Sequence, residues 1–282
     1  MDKEWEYYNH ALVPATAPHV VPDISWMNSP KRWRELSGGK YPLLVRWVTD
    51  FDCQEETQWW YCIKDTPFDM SSLKYKRRRV INQGLQWVEV RQILPCEYAE
   101  QMAEINLAAR LGYGEHPDIE EEKKMLAAEF ALLSEEQMGN CEYTGAFLRE
   151  TGRMIGYGIY EIFDEWVNQS VIKTHPDYLK YNVNAALAFY AVERYLGNDS
   201  SVRYLSNGAK NISHETNYHE YLMKYFGFRK AYCRLHIRYR VLLAAVVRLL
   251  YPFRELIYRR TKNGWIHNAA SILRMEEIRR SF

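Results

Sequence analysis

The sequence has no C-x-x-C pair, no glycine-rich phosphate loop and no long apolar run. Its five cysteines (Cys53, Cys62, Cys96, Cys141 and Cys233) are odd in number and scattered. That spacing indicates neither a zinc site nor a disulfide framework, and free thiols in a reducing cytoplasm are expected. No apolar stretch approaches the roughly 20 residues needed to span a bilayer. The first residues, MDKEW, have no apolar core, so no leader peptide is expected. The net charge of +1 gives no overall preference for an acidic partner. What the chain does have is length and rings. With 282 residues, 22 Tyr and 9 Trp it can bury a large interior, which excludes disorder.

The first stretch, to about Asp23, carries Pro14, Pro18 and Pro22 and is expected to be irregular. Strands are expected at 43–48 and 59–63. A basic helix over 73–83, capped by Asp69 or Ser71, should end near Gly84. Residues 88–93 alternate with period two and read as a strand ended by Pro95. Helices follow at 97–111 and, acidic and solvated, at 119–134. Two strands, 142–149 and 154–163, flank the hairpin signal 151–153. A strand over 167–174, a densely apolar helix over 184–195, a short strand over 202–206 and a helix over 214–225 come next. Gly227 stops that helix. In the last strand, 228–239, Tyr232, Arg234, His236 and Arg238 alternate with Cys233, Leu235, Ile237 and Tyr239, giving one basic and one apolar face.

The loop 175–184, HPDYLKYNVN, joins a strand to a helix. The first N–H groups of a helix point outward unpaired, so such a junction is a ready anion site. Asn182 and Asn184 stand where tight loops usually carry glycine, and asparagine is the best non-glycine residue at positive φ. Asn184 is also a candidate N-cap. Lys180 would add a point charge. These residues point to a phosphate-bearing acyl carrier. His175, at a strand end, and His214 both titrate near neutral pH and can serve as a general base. Glu161 could act as base through a water. His214 and Asn217 share a helix face by spacing, and with Asn207 they form a polar cluster beyond a strand end, where α/β sheets bind ligands. Tyr221 and Tyr225 are expected on different faces of their helix.

The element order over residues 88–240, strand–helix–helix–strand–strand–strand–helix–strand–helix–strand, resembles that of a GNAT N-acyltransferase domain. The segment 221–228, YLMKYFGF, is similar to the ending of that superfamily's fourth helix. The segment 175–178, HPDY, resembles its strand-four exit. The basic run 74–79, KYKRRR, before QGL at 83–85, is similar to the FemAB-like branch. The superfamily's loop is usually Gln/Arg-x-x-Gly-x-Gly/Ala, against LKYNVN at 179–184 here. Met223 stands where the family often has a tyrosine acid.

The resemblance implies an α/β (α+β) fold with a GNAT-like mixed central sheet flanked by helices. An N-terminal extension would cover 1–85, the acyltransferase domain 86–240 and a helical tail 241–282. The implied reaction moves an acyl group, above all acetyl, from acyl-coenzyme A to a primary amine, with no metal. The acceptor would be a small molecule or a glycan, such as an amino sugar of a cell-surface polysaccharide. The carrier is expected at Tyr178, Lys180, Tyr181, Asn182, Val183, Asn184, Asn207 and Asn217, and proton handling at His214, His175, Glu161 and Tyr221. Two rivals stay open. A FemAB-like aminoacyltransferase would use charged transfer RNA, the one nucleic acid expected, with residues 74–79 on its phosphates. A non-catalytic domain would bind a partner through the tail. The segment 241–260 is apolar with interspersed arginines and is expected to be helical and broken at Pro252. It packs on the catalytic domain or a second subunit, or lies in a membrane interface.

Overall fold

The computed structural model describes residues 4–112, 118–197, 200–212, 217–259 and 264–282. In chain order the strands are β1 (Trp5–Tyr8), β2 (Ala11–Pro14), β3 (Leu44–Thr49), β4 (Trp59–Lys64), β5 (Val88–Gln92), β6 (Cys141–Leu148), β7 (Met154–Phe163), β8 (Trp166–Thr174), β9 (Tyr204–Ala209) and β10 (Arg229–Tyr239). The helices are α1 (Pro30–Leu36), α2 (Tyr75–Trp87), α3 (Ala99–Gly112), α4 (Ile119–Ala131), α5 (Val183–Leu196), α6 (Tyr218–Phe226), α7 (Val241–Leu250), α8 (Arg254–Tyr258) and α9 (Gly264–Arg279). The fold is mixed α/β and GNAT-like. By contact the chain forms two units, Met1–Cys62 with Ala209–Asn217 and Lys230–Phe282, and Ile63–Gly208 with Tyr218–Arg229. The units interleave along the sequence.

In the first unit, β1 and β2 form a hairpin whose turn residues, Asn9 and His10, both have positive φ. Two such residues match the twist of the flanking strands. This corrects the irregular start expected from the prolines. Pro14 is only the last residue of β2, and Pro18 and Pro22 lie beyond it. β2 runs parallel to β3, and β3 antiparallel to β10. Cys233, Leu235 and Ile237 of β10 are buried with Leu44, Val48 and Ile278 of α9. Trp5, Leu12, Trp33 and Val45 form a second cluster, closed by α1. The sequence pattern had not shown α1, because its short apolar face has one buried residue, Trp33.

In the second unit, β5, β6, β7 and β8 are successive antiparallel neighbours and β9 is parallel to β8. Alternation sends Val88, Ala146, Leu148 and Ile155 to one face, under Val183, Ala186 and Leu187 of α5. Tyr143, Phe147, Met154 and Tyr157 go to the other face, under Met102 and Ile105 of α3. α2 does not end at Gly84 but runs through it to Trp87. The glycine is there for closeness, since a Cβ on it would lie 2.9 Å from the Asn182 carbonyl oxygen. Strand β9 begins two residues later than the pattern suggested, and α6 covers Tyr218–Phe226, while residues 213–216, where that helix was expected to open, lie outside the described residues. Among the described residues no helix is long and apolar enough to cross a membrane.

Candidate functional site

β8 and β9 pair at Trp166↔Tyr204, Val167↔Leu205 and Asn168↔Ser206, where their ladder stops. β8 then runs on to Thr174 and β9 to Ala209. At the parting point β8 carries one extra residue, Ser170, because Ile159 of β7 faces Val171 while Tyr160 faces Gln169. A bulge takes backbone groups out of the ladder and is common beside active sites.

Polar side chains cross this opening. The Asn207 amide donates to the Gln169 carbonyl at 3.2 Å and to its Oε1 at 3.1 Å. Gln169 Nε2 donates to the Tyr160 hydroxyl at 3.2 Å. His219 Nε2 lies 2.9 Å from the Asn207 carbonyl oxygen. A carbonyl only accepts, so Nε2 carries the proton. Burial lowers the His219 pKa, partly offset by that bond. Gln169 and His219 were missed in the sequence. The signal for His219 was its place at i−3 from Leu222 and i−7 from Phe226, on the buried face of α6.

At the end of β8 a 3-10 turn, Pro176–Tyr181, leads into α5. Asn182 has φ 54° and ψ 42°, the left-handed conformation expected of it. Its carbonyl accepts from Ala185 and Ala186, while Val183 and Asn184 follow as the first helical residues. The cap position is thus Asn182, not Asn184. Asn184 lies one residue inside the helix, and its Oδ1 is buried with no hydrogen-bond partner. Asn182 Nδ2 reaches Gln83 Oε1 of α2 at 3.5 Å, and Tyr181 packs on Trp87. Val183 is fully buried, with only its N–H group to offer. Lys180 is exposed, with its ammonium over the Tyr181 ring. Tyr178 packs between His175 and Tyr181.

The expected proton carriers are dispersed. His175 caps the 3-10 turn: its Nδ1 accepts from the Asp177 N–H at 3.3 Å, and its own N–H donates to Ile155. Glu161 accepts from Asn168 Nδ2 at 2.9 Å, at the last pair before the opening. Asn168 Oδ1 is buried and without a partner. Glu161 pairs with Asn168 and Gly156 with Thr174. Glu161 and the start of the loop are therefore about 17 Å apart along β7, at about 3.4 Å for each of five residues. His175 and Glu161 cannot serve the same atom. Tyr221 and Tyr225 stack at 4.7 Å, which corrects the expectation of different faces, since i and i+4 are neighbours on a helix. Burial pushes the Tyr221 hydroxyl well above its ordinary pKa, and the nearby Tyr225 adds to the shift. Asn217 is exposed and precedes α6. His214 lies outside the described residues.

No protein-family model and no curated protein matches the sequence. Solved structures do match. FemX is 9% identical, with 78% of this chain and 78% of that one covered, at a TM-score of 0.50. The C-terminal domain of a putative lysylphosphatidylglycerol synthetase from Agrobacterium fabrum is 7% identical over 87% of this chain and 82% of its own, at 0.49. A tandem GNAT protein from the clavulanic acid biosynthesis pathway is 11% identical over 81% and 75%, at 0.44. The likeness to FemX is one of fold. The chain has a mixed α/β, GNAT-like fold, which it shares with FemX.

Proposed function

We propose that this chain is an N-acyltransferase that takes an acyl group from acyl-coenzyme A and gives it to a primary amine. One observation carries the reading: β8 leaves its parallel neighbour, and the helix that follows starts at a left-handed Asn182. The N–H groups of Val183 and Asn184 have no acceptor within the helix and suit a phosphate, as does Lys180. The unpartnered Oδ1 of Asn184 suits an amide N–H or hydroxyl of the same carrier.

In the reaction the amine nitrogen attacks the thioester carbonyl. A C–N bond forms, the C–S bond breaks, the amine loses a proton and the thiolate gains one. Glu161 is the proposed base, acting directly or through a water, because it sits where the opening begins. Tyr221 is a poor acid for a thiolate, since burial holds its proton tightly. A thiolate is a good leaving group and can take its proton from solvent. His175 holds the loop instead of reacting.

Calorimetric titration with coenzyme A tests the reading. Binding is expected, and its absence from the intact protein would remove coenzyme A as the carrier.

A second reading has its own observation. The exposed Lys74, Lys76 and Arg79 belong to the start of the same helix whose Gln83 and Trp87 hold the loop. That arrangement suits the phosphates of a charged transfer RNA. Binding of such an RNA that falls steeply with salt would favour it.

A further inference from the structure

We propose that residues 241–256 form a docking surface for an anionic lipid bilayer. This inference stands apart from the acyltransfer reading and rests on the first unit alone.

α7 carries two apolar faces. One is covered: Val247 is buried, and Leu243 packs on the cluster of Val48, Leu235 and Ile237. The other is open, with Leu242 82% exposed, Leu249 70%, Phe253 55% and Leu256 58%. Val246 is also on this face and exposed. Positions 242, 246, 249, 253 and 256 step by four and three, so they form one stripe down α7, through the Tyr251–Phe253 turn and onto α8. One apolar stripe is what a surface helix needs to dock on its own core. A second, open one marks an interaction surface.

Charge chooses the partner. From 238 to 256 the sequence holds Arg238, Arg240, Arg248 and Arg254 against a single acid, Glu255, which lies 3.9 Å from Arg254. Arg254 is paired with Glu277 at 2.9 Å. Arg248 flanks the stripe and is exposed. The Arg240 guanidinium lies 4.0 Å from the ring centre of Tyr41, itself an exposed aromatic. Apolar side chains between arginines and aromatic rings match the boundary between acyl chains and anionic headgroups.

A second copy of this chain fits less well. A two-fold contact would bring like-charged arginines together. The stripe is also small. At about 1.5 Å per residue it is about 21 Å long and offers on the order of a few hundred Å². A stable protein interface takes roughly 800 Å² from each partner.

The test is co-sedimentation of the full chain with vesicles, either pure phosphatidylcholine or with about one third phosphatidylglycerol. Binding is expected only to the anionic vesicles and should fall several-fold in about 0.5 M salt. The double variant Leu242→Asp, Leu249→Asp should lose at least about tenfold in partitioning, since burying charge in place of two leucines is costly. Its melting temperature should stay unchanged, because both side chains are mostly in solvent. Arg248→Glu should weaken binding several-fold. Wild-type protein that ignores both vesicle types overturns the proposal, and so does a double variant that binds as well as wild type. A dimer in solution that Leu242→Asp dissociates would overturn it in favour of a second copy.

Discussion

Gly84 of α2 lies against Asn182, the residue that opens α5: a Cβ on Gly84 would sit 2.9 Å from the Asn182 carbonyl oxygen and 3.3 Å from the Ala186 nitrogen. The helix that precedes the GNAT-like sheet is thereby pressed onto the junction proposed to hold the carrier. The close approach is between backbones, so no side chain can swing away to relieve it.

Gly84→Ala should therefore destabilise the protein although alanine is the better helix former. Overpacking costs roughly 1–3 kcal/mol, against a propensity gain of about 1 kcal/mol. A lower urea midpoint is expected. A raised midpoint would mean that α2 yields freely.

At Asn182 the backbone conformation sets the order of variants. Asn182→Gly should keep both stability and coenzyme A binding, because glycine accepts φ 54°. Asn182→Ala should lose roughly 1–2 kcal/mol. Asn182→Pro cannot adopt this φ and should abolish binding. Calorimetry on the three folded variants checks the order, and full binding by Asn182→Pro would move the phosphate site elsewhere.

Glu161 and His175 should separate kinetically. Glu161→Gln should lower turnover by about 10²-fold or more with the carrier's affinity nearly unchanged, the pattern for losing a base. His175→Ala should instead weaken carrier binding, through a loosened loop, with a smaller effect on turnover. Steady-state assays with any accepted amine decide it. A His175→Ala enzyme that loses turnover alone would reverse the assignment.

Falling pH should lower the protein's stability in two steps. The folded pKa of His219 is lowered by burial, so its stabilisation is full above the unfolded value of about 6.5 and is lost as pH falls through the folded pKa. Asp65 is lowered chiefly by its hydrogen bonds from Arg229, at 3.3 and 3.2 Å from Nε and 2.5 Å from Nη2. Its stabilisation is full above about 3.9 and is lost as pH falls further. His219→Gln should flatten the first step of a urea-midpoint profile against pH. Asp65→Asn should flatten the second and cost on the order of 1 kcal/mol at pH 7, since Arg229 is well exposed. Unaltered profiles in both variants would mean that other groups set the acid sensitivity.

Local chemistry was legible in the sequence. The order of strands and helices from 88 to 240 followed from hydrophobic period, which depends only on near neighbours. The left-handed turn at Asn182 followed from side-chain sterics at one residue. The covered face of β10 followed from alternation.

Contacts between distant residues were not legible. Gly84 looked like a helix stop, and only the packing of α2 on α5, nearly a hundred residues away, shows that it admits a backbone. Pro14 looked like a sign of irregular chain, and only the pairing of β2 with β3 makes it a strand end. Gln169, Asn207 and His219 meet because β8, β9 and α6 converge at the opening, and no spacing in the sequence encodes that distance. The sequence alone determined what each segment can form, because propensity and period are properties of neighbouring residues. The tertiary structure alone decided which polar groups share one opening, because that depends on where strands separated in sequence come to lie side by side.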